Sequence, residues 1–403
     1  MGGVGRTLQG VFHHENARAK GPLMNPLRRL ATCALLALIF VSLAVPNAHA
    51  APISIDWVTV GDPGNTADTT GYGAVAESFR IMKYEFTNSL YAVFLNAIDP
   101  AGTNPDTVYN TNMGGSARGG ISFTGGNTAG TKYAVRANMG DKPVNFVSWW
   151  DAARVANWLH HGAQTYGITD SSASAPQNTG AYSVGTATSG NAVPVNAGAL
   201  FYVPTENQWY KAAFYNSTLN SGSGGYLDYG NGFDTTPTPV TANGTGIGSA
   251  GGTGNFANFN LAADWDSLNG NVTTVGTNGG ASYYGAFDMS GNVYEWNDLD
   301  GLATDGSSRG LRSGGWNNLG AFNLSSAFRN TNDASSANNS YGFRLASSVS
   351  VPEPSTCAMA LAGLTCGGWQ MVRRWRARQP PLDQPTNIDR KPTGVSLRSS
   401  RPQ

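Results

Sequence analysis

Cysteine is almost absent. The 403-residue chain holds three, Cys33, Cys357 and Cys366, all near its ends. From Ala51 to Ser350 there is none, which excludes an internal disulfide, a thiolate metal site and a cysteine nucleophile from that stretch. Histidine is nearly as scarce there, with only His160 and His161. Adjacent histidines point to different faces of a helix, so this pair cannot chelate one metal as an i, i+4 pair would. They read as C-terminal helix residues favoured by the dipole. Charge is thin, at 12% of residues. The formal net charge is zero, yet residues 51–350 carry 12 Lys/Arg against 21 Asp/Glu. A mildly acidic body argues against nucleic acid as a partner. Gly244, Gly246 and Gly248 have no strand before them and no helix after, so they make no phosphate loop.

What is plentiful is glycine, 52 residues in all, with much Asn, Ser and Thr, a composition that predicts many turns. The length is ample for one large core or two small ones. Chemistry is densest at Gly285–Trp296, which packs Asp288, Asn292, Glu295, two glycines and three aromatics into one short stretch. No period of 2 or 3.6 runs through it, and Gly291 marks a turn. Such a loop can wrap carbonyls and the Asp288 and Glu295 carboxylates around a hard cation, and calcium takes six to eight such oxygens. The residues fit a polar turn beside a core tryptophan equally well.

Along the body, Ile53–Val60 and Ser78–Phe86 read as strands. Thr87 and Asn88 offer caps for a helix to about Ala97, with Leu90, Val93, Phe94 and Ala97 on one face. Ser148 and Asp151 stand at capping-box spacing before a helix running to about His161, with Trp149, Ala152, Ala153, Ala156 and Leu159 inward. Residues 171–198 read as a long polar loop. Thr205 and Gln208 make a second capping box, and Trp209, Tyr210, Ala212 and Ala213 pack inward behind it. Residues 216–254 form another glycine-rich excursion. Arg312, Arg329 and Arg344 are expected to pair with acidic loop residues in a semi-buried network. Asp151 with Arg154, and Asp298 with Asp300, are close in sequence only, so solvated charge is their expected role.

The two ends carry export signals. Met24 opens a signal peptide, 24–50: Arg28 and Arg29 are basic, Leu30–Val45 is apolar, and Ala48-His49-Ala50 is a small-x-small cleavage site for signal peptidase. Residues 1–23 precede this better start. Near the other end, Pro352-Glu353-Pro354, an apolar run from Cys357 to Val372 and the arginines at 373–378 resemble the PEP-CTERM sorting signal, 351–378. Arginines halt translocation on the cytoplasmic side. This resemblance implies a transient inner-membrane anchor through one short transmembrane helix. Cleavage by an exosortase would then release the protein to the surface or extracellular matrix of a Gram-negative bacterium. The polar tail 379–403 departs from the pattern.

Five blocks across about Ile53–Ser347 resemble the formylglycine-generating enzyme, or sulfatase-modifying factor, family: Lys83–Asn88, Pro143–Ala152, Val203–Tyr210, Gly291–Trp296 and Arg309–Asn318. The resemblance implies an α+β fold: a single loop-rich domain, 51–350, related to C-type lectins. It implies two structural calcium sites. One uses Asn258 and Asp266 with the carbonyls of Phe259 and Leu268, Asp264 being a rival. The other uses Asp288, the carbonyls of Gly291 and Val293, and Glu295. Catalytic members hold copper(I) on two cysteines between the Gly-Gly-Ser block and the following arginine, and soft thiolates are what copper(I) selects. Here the interval from Gly314 to Arg329 has no cysteine. The expectation is therefore a non-catalytic module without copper, stabilised by calcium. Loop aromatics Trp265, Tyr283, Tyr284 and Trp316 would be exposed to contact polysaccharide or peptide. The competing expectation is an enzyme using non-copper chemistry in the same groove.

Overall fold

The computed structural model describes residues 53–163, 175–299 and 306–348. Residues 24–50, read above as a signal peptide, residues Pro352, Glu353 and Pro354 of the expected sorting signal, and Asp300 lie outside the described residues. Among the described residues no helix is long and apolar enough to cross a membrane.

Regular elements are short, and helices and strands are mixed. In chain order they are β1 (Trp57–Val60), β2 (Phe79–Met82), α1 (Asn88–Ile98), α2 (Asn112–Gly115), β3 (Ile121–Phe123), β4 (Tyr133–Val135), α3 (Trp149–His160) and α4 (Glu206–Phe214). There follow β5 (Tyr215–Asn216), β6 (Gly225–Tyr226), β7 (Thr238–Pro239), β8 (Phe256–Ala257), β9 (Tyr294–Asn297), β10 (Ser308–Arg312), β11 (Asn330–Asp333), β12 (Tyr341–Gly342) and β13 (Ala346–Ser347). One sheet has the order β1-β2-β13 and the larger one β11-β10-β9-β12. In the first, β13 runs antiparallel to β2, so the last described strand closes on one of the first. In the second, β9 pairs antiparallel with β10 and parallel with β12, which places Glu295 opposite Arg312 and Gly342.

The helices begin where local hydrogen bonding starts them. Thr87 Oγ1 accepts from Leu90 N at 3.4 Å. Ser148 Oγ accepts from Asp151 N at 3.2 Å while Asp151 Oδ2 accepts from Ser148 N at 2.8 Å. Thr205 and Gln208 repeat the box, at 3.2 and 3.0 Å. Each cap satisfies amide groups that the first helical turn leaves without partners.

Three expectations need correction. The strands are shorter than the sequence suggested, confined to 57–60 and 79–82. The inward face of α1 is rotated: Tyr91, Phe94, Leu95 and Ile98 are buried, whereas Val93 is 44% exposed. That set follows i, i+3, i+4, i+7 and is the wider apolar stripe, with Tyr91 also donating to Val108 O at 2.6 Å. Finally, α3 is buried nearly all round, polar residues included. Arg154 is 0% exposed because the segment after 175 folds over it: its Nε donates to Asn178 Oδ1 at 2.9 Å and its NH2 to Ala187 O at 2.7 Å. That segment is therefore a fastened cover and not a solvated loop, since Gln177 and Asn178 are buried too.

The two boxes differ in one respect. Ser148 Oγ also donates to the buried Asp151 carboxylate at 2.7 Å. Thr205→Ala is expected to cost about 1 kcal/mol and Ser148→Ala about 2 kcal/mol, the second change leaving a buried carboxylate short of a donor. Urea unfolding of the two variants checks this; equal losses would contradict the extra role of the serine.

Candidate functional site

Two irregular segments, around Asn258 and around Gly291, are joined face to face. Gly291 has φ +96°, and a Cβ there would meet Asn258 O at 2.6 Å, so only glycine fits both the turn and the approach. Asn292 N donates to Asn258 O at 2.9 Å. Asn258 Nδ2 donates to Asn292 Oδ1 at 3.1 Å, to Asn271 O at 2.9 Å and to Thr273 Oγ1 at 3.0 Å. Asn292 Nδ2 in turn reaches Glu85 Oε2 at 2.8 Å.

Behind this seam lie three buried carboxyl groups and one guanidinium. Glu295 is 0% exposed. Its Oε2 accepts from Arg344 Nε at 2.6 Å and Trp209 Nε1 at 2.7 Å, and its Oε1 from Arg344 NH2 at 2.6 Å. Arg344 also donates to Phe287 O at 2.8 Å and Met82 O at 3.2 Å. Burial alone would lower the Arg344 pKa, but Glu295, Glu85 and Asp288 together outweigh it and hold the guanidinium above its ordinary value. Asp288 Oδ2 accepts from Gly276 N at 2.5 Å and Oδ1 from Asn278 Nδ2 at 2.9 Å. Burial raises the Asp288 carboxyl against those two bonds. Glu85 is raised well above the carboxylate range by burial, then by Asp288 and Glu295.

The two calcium sets behave differently. Asn258 Oδ1 is buried with no hydrogen-bond partner, an oxygen that a cation would satisfy. Its expected companions sit in the next turn: Asp266 is exposed with φ +56°, and Leu268 N closes the turn on Trp265 O at 3.1 Å. The rival Asp264 accepts from Gly270 N at 2.7 Å. The second set fits an ion poorly. Both Asp288 oxygens already accept, Ser313 Oγ donates to Gly291 O at 2.9 Å, and Glu295 takes three N–H bonds of the four or so it can accept. Val293 is buried in the same seam, its N donating to Glu85 Oε1 at 3.3 Å. Phe259 is buried, and its carbonyl accepts from Ala262 N at 3.3 Å. Among the described residues no three His, Cys, Asp or Glu side chains gather as a metal cluster.

The aromatics also divide. Trp265 and Trp316 are 5% and 3% exposed, which corrects the expectation that they stand out from the loops. Lys142 Nζ lies 5.0 Å over the Trp265 ring, and the Arg118 guanidinium 4.4 Å over Trp316. Their indole N–H groups are taken by Val272 O and Asn339 O. Tyr283 is 42% exposed and hydrogen-bonds with Ser217, while Tyr284 donates to Asp62 Oδ2 at 2.9 Å.

Asp151 and Asp298 are buried, not solvated. Asp298 pairs with Arg309 Nε at 3.2 Å and accepts from the Tyr182 hydroxyl at 3.2 Å. Burial nevertheless pushes its carboxyl up to about 7. Three functional-looking residues escaped the sequence reading. Glu85 looked like part of a helix start, Glu206 like a first-turn acid behind Thr205, and Lys142 carried no signal. Glu206 is the partner that Arg312 and Arg329 were expected to find: its Oε1 accepts from Arg312 NH2 and Arg329 Nε, each at 2.7 Å.

The profile of the sulfatase-modifying factor enzyme 1-like domain matches residues 63–349. No curated protein matches. Among solved structures, the variable protein 1 of Treponema denticola is 17% identical, covering 75% of this chain and 98% of its own, with a TM-score of 0.42. CarF is 20% identical, covering 74% and 99%, with a TM-score of 0.43. PvdO from Pseudomonas aeruginosa is 18% identical, covering 74% and 93%, with a TM-score of 0.36.

Two predictions follow from the buried charges. Arg344→Met or Glu295→Gln leaves one charge without its partner and is expected to cost about 3–5 kcal/mol; denaturant unfolding that shows under 1 kcal/mol for either would contradict the assignment. The second concerns pH. An unfolded aspartate titrates near 4. Between about pH 4 and 7 the folded chain therefore keeps a proton on Asp298 that the unfolded chain has lost. This group's contribution falls as pH rises through that window and levels off above it. Melting temperatures from pH 4 to 8 should drop more steeply for the native chain than for Asp298→Asn; parallel curves would refute it.

Proposed function

We propose a function from one premise: the chain belongs to the sulfatase-modifying factor enzyme 1-like domain family. Within it, this protein is an exported, non-catalytic binding module that presents its loops to polysaccharide or peptide at the cell surface or in the extracellular matrix. One observation carries the reading. The interval Gly314–Arg329, where the family's copper ligands would fall, contains no cysteine. Copper(I) needs soft donors, and the oxygen and nitrogen side chains of this interval do not supply them.

Burial supports the same reading. Trp316 and Leu324 are packed inside, and Ser326 N is tied to Asp228 O at 2.8 Å, so these two side chains anchor an interval whose middle, at Leu319 and Phe322, faces solvent. Calcium belongs to the reading at the Asn258 set, where Asn258 Oδ1, Asp266 and the carbonyls of Phe259 and Leu268 would hold it. It would tie the turn at Asp266 and Leu268 back to Asn258 within one loop. Export rests on 24–50 and 351–378, with signal peptidase and an exosortase as the processing partners.

The purified chain, loaded with copper and offered a cysteine-bearing peptide, is expected to form no aldehyde. It is expected to retain calcium by elemental analysis and to melt lower after chelation. Copper-dependent aldehyde formation would overturn the non-catalytic reading, and an unchanged melt with no calcium would remove the ion.

A further inference from the structure

Glu206 is one buried carboxylate serving two guanidinium groups. Arg312 is fully used: Nε and NH2 go to Glu206, and NH1 donates to Ser326 O at 2.9 Å and Phe328 O at 2.6 Å. Arg329 is not. Only its Nε is engaged, at 2.7 Å from both Glu206 oxygens, and its side chain is 29% exposed. Among the described residues NH1 and NH2 have no hydrogen-bond partner, and they are not among the buried unsatisfied atoms, so they are open to solvent. Glu206 is shared between two arginines, so Arg329 is only partly neutralised by it and keeps one guanidinium edge for another carboxylate. Asp68, which borders this cluster, already accepts from Tyr210, Thr69 and Thr70.

Aromatic surface adjoins that charge. The Tyr72 ring lies 5.7 Å from the Arg329 guanidinium carbon. Phe322 is 63% exposed and meets Phe328, the neighbour of Arg329, edge-on at 5.6 Å. Leu319 is 73% exposed on the same loop. A guanidinium edge binds a carboxylate through two parallel bonds, and an open aromatic ring receives the C–H face of a sugar.

We propose that the free edge of Arg329 and the exposed ring of Phe322 form a subsite for the carboxylate of an acidic, uronate-containing polysaccharide. The inference rests on the binding-module reading and narrows its ligand. A peptide is disfavoured by the strand that follows. β11 is the outer strand of its sheet, where an extended peptide would add. Its Thr331 and Asp333 N–H groups are instead taken by the Asn330 and Asn332 side-chain oxygens, each at 2.9 Å. Recognition here therefore runs through side chains, which suits a sugar polymer with one carboxylate per unit.

The test is calorimetric titration of the full chain with polygalacturonate, neutral galactan and polyglutamate. Polygalacturonate is expected to bind, and more weakly as salt is added. Arg329→Lys keeps the charge against Glu206 but loses the two-pronged edge, and should weaken binding about tenfold. Phe322→Ala, at an exposed position that leaves the fold intact, should weaken it about threefold. Unchanged affinity in both variants overturns the subsite, as does a preference for polyglutamate. Binding of galactan alone overturns it while leaving the binding-module reading in place. Silence with every polymer sinks both.

Discussion

Buried carboxylate–guanidinium pairs hold this chain in shape. Arg344 lies on Glu295, Arg312 and Arg329 share Glu206, and Arg309 meets Asp298. Taking such charges out of water costs several kcal/mol per ion, so they tolerate only arrangements in which each finds its partner. That requirement specifies geometry across elements too short to specify it themselves. Arg344 alone joins β9 to the carbonyls of Met82 and Phe287, fastening the end of the domain to its beginning. Glu206, at the first turn of α4, draws in Arg312 from β10 and Arg329 from the chain just before β11.

Asparagine does for the loops what ladders do for sheets. Asn258 and Asn292 bond each other as well as Asn271, Thr273 and Glu85. Asn145 bridges Arg118 O and Asn339 O, and Asn157 bridges Gln177 O and Tyr182 O. A side-chain amide carries two donors and an acceptor, so one residue can satisfy backbone groups from two segments. This is how a glycine-rich chain with short strands avoids stranding its interior carbonyls. The abundance of Asn, Ser and Thr suggested turns; in the fold much of it is interior hydrogen bonding.

That contrast explains what the sequence disclosed. The caps of α1, α3 and α4 were legible because a cap is a contact over three residues and needs nothing else. The family blocks were legible for the same reason. The partners of the arginines were not, since Glu206 is 106 residues from Arg312 and 123 from Arg329. Trp265 and Trp316 were misplaced because glycine-rich surroundings suggest surface. Lys142 and Arg118, remote in sequence, cover their rings with cations and bury them. The burial of Asp298 was hidden in the same way, by its pairing with Arg309 on β10, and Asp151 is buried along with nearly all of α3.

The same logic separates the two candidate ion loops. A divalent ion is useful where oxygens converge without a positive charge to neutralise them. Around Glu295 that charge is already present, in a guanidinium bonded to two carboxylate oxygens and to backbone carbonyls. An ion added there would have to displace Arg344 or sit beside it, and like charges a few ångströms apart in a low-dielectric interior repel strongly. Around Asn258 no guanidinium intrudes among its bonded partners, and an amide oxygen is left unpaired. A protein that carries its own cation at one loop needs an external one, if anywhere, at the other. The calcium proposed at the Asn258 loop and the ion pair buried at the Glu295 loop would thus be alternative solutions to a single problem, that of gathering oxygens in a dry interior.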